Sequence, residues 1–188
     1  MRFLGLRPAA MAAAVVLFAL LPGQASAGLF DFFGDSYPRQ QVIPRHLVAF
    51  PAGYAPGTII VQFSQRRLYF VLPQQRAISY PIGAPKGDAR WSGETYVREK
   101  RINPDWTPTA EMRRENPSLP AFVPGGDRRN PLGFRAMYLG YSTYRIHGTD
   151  APWTVGQEVS HGCIRMFNED VADLYQRVPI GTRVVVTW

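Results

Sequence analysis

The sequence of 188 residues contains a single cysteine, Cys163. A disulfide bond within the chain is therefore excluded. An unpaired cysteine is an intermolecular link, a buried passive thiol or a reactive thiol. Cys163 ends the polar run Ser-His-Gly-Cys at residues 160–163, whereas a passive thiol lies more often among Val, Leu and Ile. These surroundings favour a reactive thiol.

Repeats and clustered charge are missing as well. The absence of an internal repeat disfavours a solenoid or a propeller. With 46% hydrophobic and 13% aromatic residues, the chain has the composition of a folded protein, and disorder of the whole chain is excluded. The net charge of +7 comes from scattered basic residues. Scattered charge is typical of a solvated surface, so we expect no nucleic-acid partner.

The sequence has one long apolar run, at residues 9–21, near its N-terminus. Two arginines precede it and small residues at 25–27 follow it. This order predicts a secretory signal peptide at residues 1–27. The alternative is a retained membrane anchor, for which the run is short. We therefore expect export to a bacterial periplasm, with no stable membrane span after cleavage.

Glycine and proline, 17 residues each, predict a mostly β, loop-rich fold. Residues 28–56 are rich in Pro, Gly and Phe and are predicted to form an extended N-terminal arm or linker. Residues 57–188 are predicted to form one domain, because apolar, β-branched runs alternate there with turn residues. Strands are predicted at 58–63, 68–72, 76–82, 94–102, 134–139, 142–147 and 183–188.

The segment 103–133 contains six prolines. Proline disrupts both helices and strands, so no regular element is predicted there. Such a segment is either a functional lid or binding loop, or a plain surface loop.

One short helix is predicted after the cysteine. Asn168 is a suitable N-cap residue, and Pro179 stops the helix. The apolar residues between them follow helical spacing and predict one buried face; they are Val171, Leu174, Tyr175 and Val178.

Two histidines near the cysteine permit two chemistries. In the first, an imidazole, that of His147 or His161, takes the proton of the Cys163 thiol. Gly148 and Gly162 allow close approach of a substrate, and backbone N–H groups near the thiol can bind an oxyanion. In the second, the two histidines and the cysteine bind zinc. The sequence has no HExxH or CxxC motif, and we expect no metal and no other cofactor.

These residues resemble the signature of the L,D-transpeptidases with a YkuD-type catalytic domain. That signature is a His-Gly pair, a spacer, and then Ser/Thr-His-Gly-Cys followed by a hydrophobic residue and Arg or Asn. Residues 147–148 and 160–165 match it. The resemblance covers most of residues 57–186 and includes Gly83 and residues 93–95, 103–108 and 130–133. The chain departs from the family pattern at residues 91–95.

The resemblance implies a compact, mostly β, sandwich- or barrel-like catalytic domain with one short helix after the cysteine. It also implies an exported cysteine L,D-transpeptidase that acts on peptidoglycan stem peptides, in cell-wall cross-linking or remodelling. Cys163 would attack the bond between the third-position diamino acid and D-Ala and form a thioester. The acyl group would then pass to an amine. A carbapenem is expected to acylate the same thiol.

The resemblance further implies roles for the neighbours of the thiol. His147 is the expected base, oriented by the backbone carbonyl of Gly148, and His161 is the competing base. His161, Gly162 and Cys163 are expected to supply oxyanion-hole or positioning groups.

Two more residues are candidates for substrate binding. Arg165 could clamp a stem carboxylate, because a guanidinium pairs with a carboxylate through two hydrogen bonds. Alternatively, it makes a structural hydrogen bond. Ser160 could contact substrate, or it could hydrogen-bond within its own turn.

Two other functions stay open at this point. One is an L,D-carboxypeptidase that uses the same cysteine with water as the acceptor. The other is an inactive wall-binding protein. The sequence does not specify the acyl acceptor, which is another stem peptide, a wall-anchored lipoprotein, a D-amino acid or water.

Overall fold

The computed structural model describes residues 43–188. The predicted signal peptide and the first part of the predicted arm lie outside the described residues. The strands of the described part are β1 His46–Ala49, β2 Ile59–Gln62, β3 Arg67–Leu72, β4 Arg76–Pro81, β5 Ala84–Pro85, β6 Gly93–Ile102, β7 Arg135–Leu139, β8 Arg145–His147, β9 Glu158–Ser160, β10 Ile164–Arg165 and β11 Arg183–Thr187. The helices are α1 Ala110–Glu115 and α2 Asn168–Arg177, with short 3-10 turns at Gly87–Ala89 and Pro152–Thr154. The predicted mostly β fold is confirmed.

The main sheet has nine strands in the order β1-β4-β3-β2-β11-β6-β7-β8-β10. The last strand, β11, lies near its centre, parallel to β2 and antiparallel to β6. A central strand is covered on both faces, and Val184, Val185 and Val186 of β11 are all buried. A second, two-stranded sheet pairs β5 with β9.

The two faces of strand β2 pack against two different clusters of apolar residues. Ile59 and Val61 point into the main core, whereas Ile60 belongs to a smaller cluster on the other face. Partly buried Phe50 and Tyr54 pack against that smaller cluster. The end of the predicted arm therefore covers the outer face of the sheet.

Helix α2 closes the main core. Val171, Leu174 and Val178 are at most 1% exposed and belong to the core cluster. Burying one such aliphatic side chain contributes about 1.5–3 kcal/mol. Helix α2 packs against β7 and β8, so it supports the strand that carries His147.

Strands β8 and β10 are parallel neighbours, with Ile164 beside Ile146 and Arg165 beside His147. Both isoleucines are fully buried in the core. Side chains alternate along a strand, so His147 and Arg165 lie on the opposite face. Cys163, two residues before Arg165, continues this alternation. The register therefore places thiol, imidazole and guanidinium on one face at the edge of the sheet.

The prediction that residues 103–133 contain no regular element is wrong. Helix α1 lies there, and Thr109 caps it by accepting a hydrogen bond from the Met112 backbone N–H at 3.2 Å. The flanking prolines are Pro108 and Pro117. Between them the chain is free of proline for long enough to form about one and a half helical turns.

The predicted N-cap role of Asn168 is also wrong. Phe167 occupies the cap position without a side-chain hydrogen bond, and Asn168 is the first helical residue. The Asn168 amide instead bonds both backbone groups of Thr149, accepting from its N–H at 3.1 Å and donating to its carbonyl at 2.9 Å. A tertiary contact replaces the local cap.

The predicted arm supplies the edge strand β1, which pairs antiparallel with β4. Arg67 donates to the Ile43 carbonyl at 2.7 Å, and Arg45 lies 3.1 Å from Asp170 of α2. Burial raises the pKa of Asp170 to about 6, although Arg45 opposes this shift. In strand order, β1 and the strand β10 beside the site stand at opposite ends of the main sheet.

Among residues 43–188, no helix combines the length and the apolar character that a membrane span needs.

Candidate active site

The His147 imidazole is almost fully buried, at 3% exposure. Its Nδ1 lies 2.6 Å from the Gly148 carbonyl oxygen. A carbonyl can only accept, so Nδ1 carries the proton and donates it. In the neutral ring, Nε2 then carries the free lone pair, as a general base requires.

The surroundings of His147 keep its imidazole neutral. Burial is the main cause that lowers the pKa of His147 to about 3, and the positive charges of Arg165 and Arg145 contribute to the same shift. The hydrogen bond to Gly148 acts in the opposite direction. At neutral pH the ring is therefore a proton acceptor rather than a cation.

The Gly148 backbone is held by close packing. A Cβ atom on Gly148 would lie 2.1 Å from Asn168 Oδ1. Gly133, at φ +63°, packs against the same amide, where a Cβ would lie 2.2 Å from Asn168 Oδ1 and 2.7 Å from the Thr149 nitrogen. Only glycine fits at these two positions. The predicted importance of Gly148 therefore has a steric reason.

The loop before Cys163 is built around Gly162. This glycine has φ +114°, and a Cβ there would lie 2.2 Å from Tyr144 Cε1. The Trp91 indole N–H donates to the Gly162 carbonyl at 2.9 Å. The rings of Trp91 and Tyr144 stack with centroids 4.8 Å apart. This aromatic pair sets the position of the backbone that leads into Cys163.

Ser160 is buried and donates its hydroxyl to the Cys163 carbonyl. Its own carbonyl accepts from the Lys86 N–H at 3.0 Å. This arrangement corresponds to the local-turn alternative for Ser160.

The Cys163 thiol is partly exposed. Its Sγ lies 3.9 Å from the Thr143 carbonyl oxygen. Between the described side chains of Cys163 and His147 there is no hydrogen bond in this conformation. Catalytic hydrogen bonds are often long in enzymes without substrate.

His161 faces the proline-rich segment. Its Nε2 lies 2.7 Å from the Glu115 carboxylate of α1, which also lies 3.7 Å from Lys86 Nζ. The hydrogen bond from His161 is the main reason why the pKa of Glu115 is lowered. The two histidines thus have different partners, a backbone carbonyl for His147 and a carboxylate for His161.

Arg165 is a largely buried arginine with few partners. Its Nη1 donates to Thr154 Oγ1 at 3.3 Å, and its Nε is buried without a partner. Burial lowers the pKa of Arg165, whereas Asp150 and Cys163 act to raise it. The hydrogen bond agrees with the structural alternative, and the buried Nε remains an unsatisfied donor.

A cleft of about 630 Å³ lies between residues 103–133 and the site loop. Met112, Phe122 and Val123 line one wall, and His161 and Arg165 line the other. Cys163 and His147 are not among the lining residues, so the cleft lies beside the thiol. The proline-rich segment is therefore a wall of the candidate substrate site.

Within residues 43–188, no three His, Cys, Asp or Glu side chains converge on a point that could hold a metal ion. His147 and His161 use their ring nitrogens in different contacts.

Three contacts of the site were not predicted from the sequence. They are those of Trp91 with Gly162, Asn168 with Thr149, and the thiol with the Thr143 carbonyl. Only Trp91 gave a sequence signal, since it begins the segment that departs from the family pattern.

Comparison with known proteins identifies the class. Residues 56–186 match the family model of the L,D-transpeptidase catalytic domain, YkuD. The protein named "Probable L,D-transpeptidase ErfK/SrfK" of Escherichia coli K12 is 39% identical over 163 residues, which are 83% of this chain and 51% of that protein. The chain thus spans about half the length of this relative.

Two solved structures share the fold. The L,D-transpeptidase from Mycobacterium smegmatis has a TM-score of 0.56 at 19% identity, covering 71% of this chain and 59% of that one. A Brucella melitensis protein named "Probable carnitine operon oxidoreductase caia" has a TM-score of 0.52 at 42% identity, covering 77% and 94%. The family model takes in every predicted site residue. The chain belongs to the L,D-transpeptidase family, and residues 56–186 are its catalytic domain.

Proposed function

We propose that this protein is an exported cysteine L,D-transpeptidase that acts on peptidoglycan stem peptides. The observation that carries the proposal is the neutral, buried His147. Its Nδ1 proton is held by Gly148, and it lies on the same sheet face as Cys163. Family membership supports the reaction class.

In the first step, rotation of the Cys163 side chain brings Sγ from the Thr143 carbonyl to His147. Nε2 takes the thiol proton, and the thiolate attacks the carbonyl carbon between the diamino acid and D-Ala. A C–S bond forms and the C–N bond breaks. The imidazolium returns its proton to the leaving D-Ala amine, and a thioester is left on Cys163.

In the second step, an acceptor amine attacks the thioester. A C–N bond forms, the C–S bond breaks, and the amine proton returns through His147 to the thiolate. Backbone N–H groups of His161, Gly162 and Cys163 stabilise the oxyanion in both steps. The aromatic anchor of Trp91 and Tyr144 holds this backbone in place before substrate binds.

The cleft beside the thiol fits the donor stem. Arg165 lines it and carries a buried Nε without a partner, so a stem carboxylate is the ligand we assign to it. Ser160 shapes the turn and does not contact substrate in this assignment. Residues 1–27 direct the chain to the periplasm, where stem peptides and wall-anchored lipoproteins are candidate acceptors.

The test uses the exported form of the protein, beginning at Gly28, with Cys163→Ala and Cys163→Ser as inactive controls. Each is incubated with disaccharide-tetrapeptide muropeptides, and the products are read by mass spectrometry. Cysteine-dependent loss of D-Ala with new dimers joined through two third residues supports the transpeptidase. Loss of D-Ala without dimers favours the carboxypeptidase. No reaction of the unmodified protein with muropeptides or a carbapenem would contradict the proposal and favour the wall-binding protein.

A further inference from the structure

Two arginines beside the thiol bury an Nε atom that has no partner. Within residues 43–188, two buried side-chain polar atoms lack a hydrogen-bond partner. They are the Nε atoms of Arg145 and Arg165. Buried donors without a partner are rare in native proteins and require an explanation. Both arginines also act electrostatically on His147, so both belong to the surroundings of the reacting groups.

Arg145 lies beside the thiol. In β8 it precedes His147 by two residues and so shares its face. Extending the parallel register of β8 and β10 by one residue places Arg145 next to Cys163. Arg145 Nη1 donates to the Thr143 carbonyl at 3.0 Å, and Cys163 Sγ lies 3.9 Å from the same oxygen.

The charge of Arg145 has no carboxylate partner. Its guanidinium lies 4.9 Å from the ring centroid of Tyr138, and Arg101 lies 5.1 Å from the same ring. Arg101 is paired with Glu99. By contrast, no carboxylate in the described part of the chain lies within ion-pair distance of Arg145. Tyr138 therefore holds in place a cation that is free to bind an anion.

The two arginines differ in their relation to the cleft. Arg165 lines the cleft, whereas Arg145, Tyr138 and Thr143 do not. Acyl transfer needs two substrates at one sulfur, because the donor remains attached as a thioester while the acceptor attacks. If the donor fills the cleft, the acceptor approaches from the side of Arg145.

We infer that Arg145, supported by Tyr138, binds a carboxylate of the acyl acceptor and selects amines that carry a carboxylate on the adjacent carbon. The inference rests on the proposed function and adds an acceptor class to it. The carboxylate pairs with the guanidinium while the neutral amine attacks the thioester carbon. The C–N bond forms, the C–S bond breaks, and the amine proton passes through His147 to sulfur.

The experiment measures acceptor selectivity. The thioester is formed from a tetrapeptide muropeptide, and transfer to D-methionine is compared with transfer to D-methioninamide, which lacks the carboxylate. In Arg145→Gln we expect the ratio of the two kcat/KM values to fall about ten- to a hundredfold. Arg145→Lys should give an intermediate ratio. An effect of the substitution on His147 or on thioester formation changes both kcat/KM values equally and cancels in their ratio.

Arg101→Gln is the matched control, since it removes the other cation on the same ring. Its ratio should stay within about twofold of the unmodified protein, because Glu99 already pairs with Arg101. An unchanged ratio in Arg145→Gln overturns the acceptor site and leaves the transpeptidase proposal intact. A thioester that only water resolves also overturns it. Failure of the unmodified protein to form any thioester counts against both proposals.

Discussion

The Asn168 amide lies against Gly148 so closely that a Cβ on the glycine would come within 2.1 Å of Oδ1. The same amide accepts from and donates to the backbone of Thr149. Gly148 in turn accepts the Nδ1 hydrogen bond of His147. The first residue of α2 therefore positions the carbonyl that sets the tautomer of the histidine.

We expect Asn168→Ala to lower the stability of the fold by about 1–3 kcal/mol, because two backbone groups of Thr149 lose their partners. Acylation of Cys163 by a carbapenem should also slow, since the Gly148 carbonyl is then free to shift. Urea unfolding and intact mass spectrometry give the two quantities. Asn168→Asp is the comparison variant, because it retains the acceptor for the Thr149 N–H, loses the donor and adds a negative charge. Equal acylation rates in all three proteins would refute this positioning role.

Gly162→Ala should disable the site. The backbone there is left-handed, and the new methyl group would meet Tyr144 at 2.2 Å, which must break the stacking with Trp91. We expect carbapenem acylation to slow by about tenfold or more, since misplacement by about 1 Å costs about a hundredfold. Gly181→Ala provides the control, because φ is +89° there and the added Cβ would meet open space. If both variants acylate at the normal rate, the steric account is wrong.

His147→Ala should slow alkylation of Cys163 by iodoacetamide near neutral pH more than His161→Ala does. His147 combines a neutral ring with a fixed Nδ1 proton, whereas the His161 ring is paired with Glu115. The rates follow from the loss of free thiol with time. The reverse order would assign the base role to His161.

As the pH is lowered, the acylation rate should fall only at a pH well below the ordinary pKa of histidine. We call this fall the acid limb of the pH profile. The pKa of His147 is lowered to about 3, so the base remains neutral as the pH falls from 7 to 5. Arg165→Met removes a nearby positive charge, which favours the imidazolium, so the pKa of His147 should rise and the limb should move to higher pH. The measurement is the carbapenem acylation rate between about pH 2 and 8, a range that includes the expected limb.

Arg129→Met is the control for that profile. Arg129 also lines the cleft, but Asp127 neutralises it, and its charge does not act on His147. Its profile should match that of the unmodified protein. An inflection near pH 6.5 in the unmodified protein would show that the imidazole is not shielded as the structure indicates.

Local pattern was sufficient where the determining contacts are close in sequence. The apolar runs of β2 and β3 and the helical spacing in α2 report burial directly, and both predictions are confirmed. The prediction for residues 103–133 was wrong because it was made from the number of prolines in the whole segment. There, the distance between two successive prolines decided that α1 forms.

Side-chain partners distant in sequence could not be predicted. Asn168 is as suitable for a helix cap as for a tertiary contact, and only the approach of β8 to α2 offers it the Thr149 backbone. Trp91 is separated by 71 residues from the Gly162 carbonyl that it binds. Such contacts depend on how the strands are ordered in the sheet.

The sequence by itself determined the family and the mostly β class and predicted the reactive group, because these depend on residue types at short spacing. Tertiary structure alone decided the surroundings of each histidine and the positions of the two arginines. Burial on β8 keeps the His147 imidazole neutral, and α1 supplies the carboxylate that engages His161. The parallel register of β8 and β10 places Arg165 next to His147 and Arg145 next to Cys163. Solvation and charge act through space, and the fold alone sets those distances.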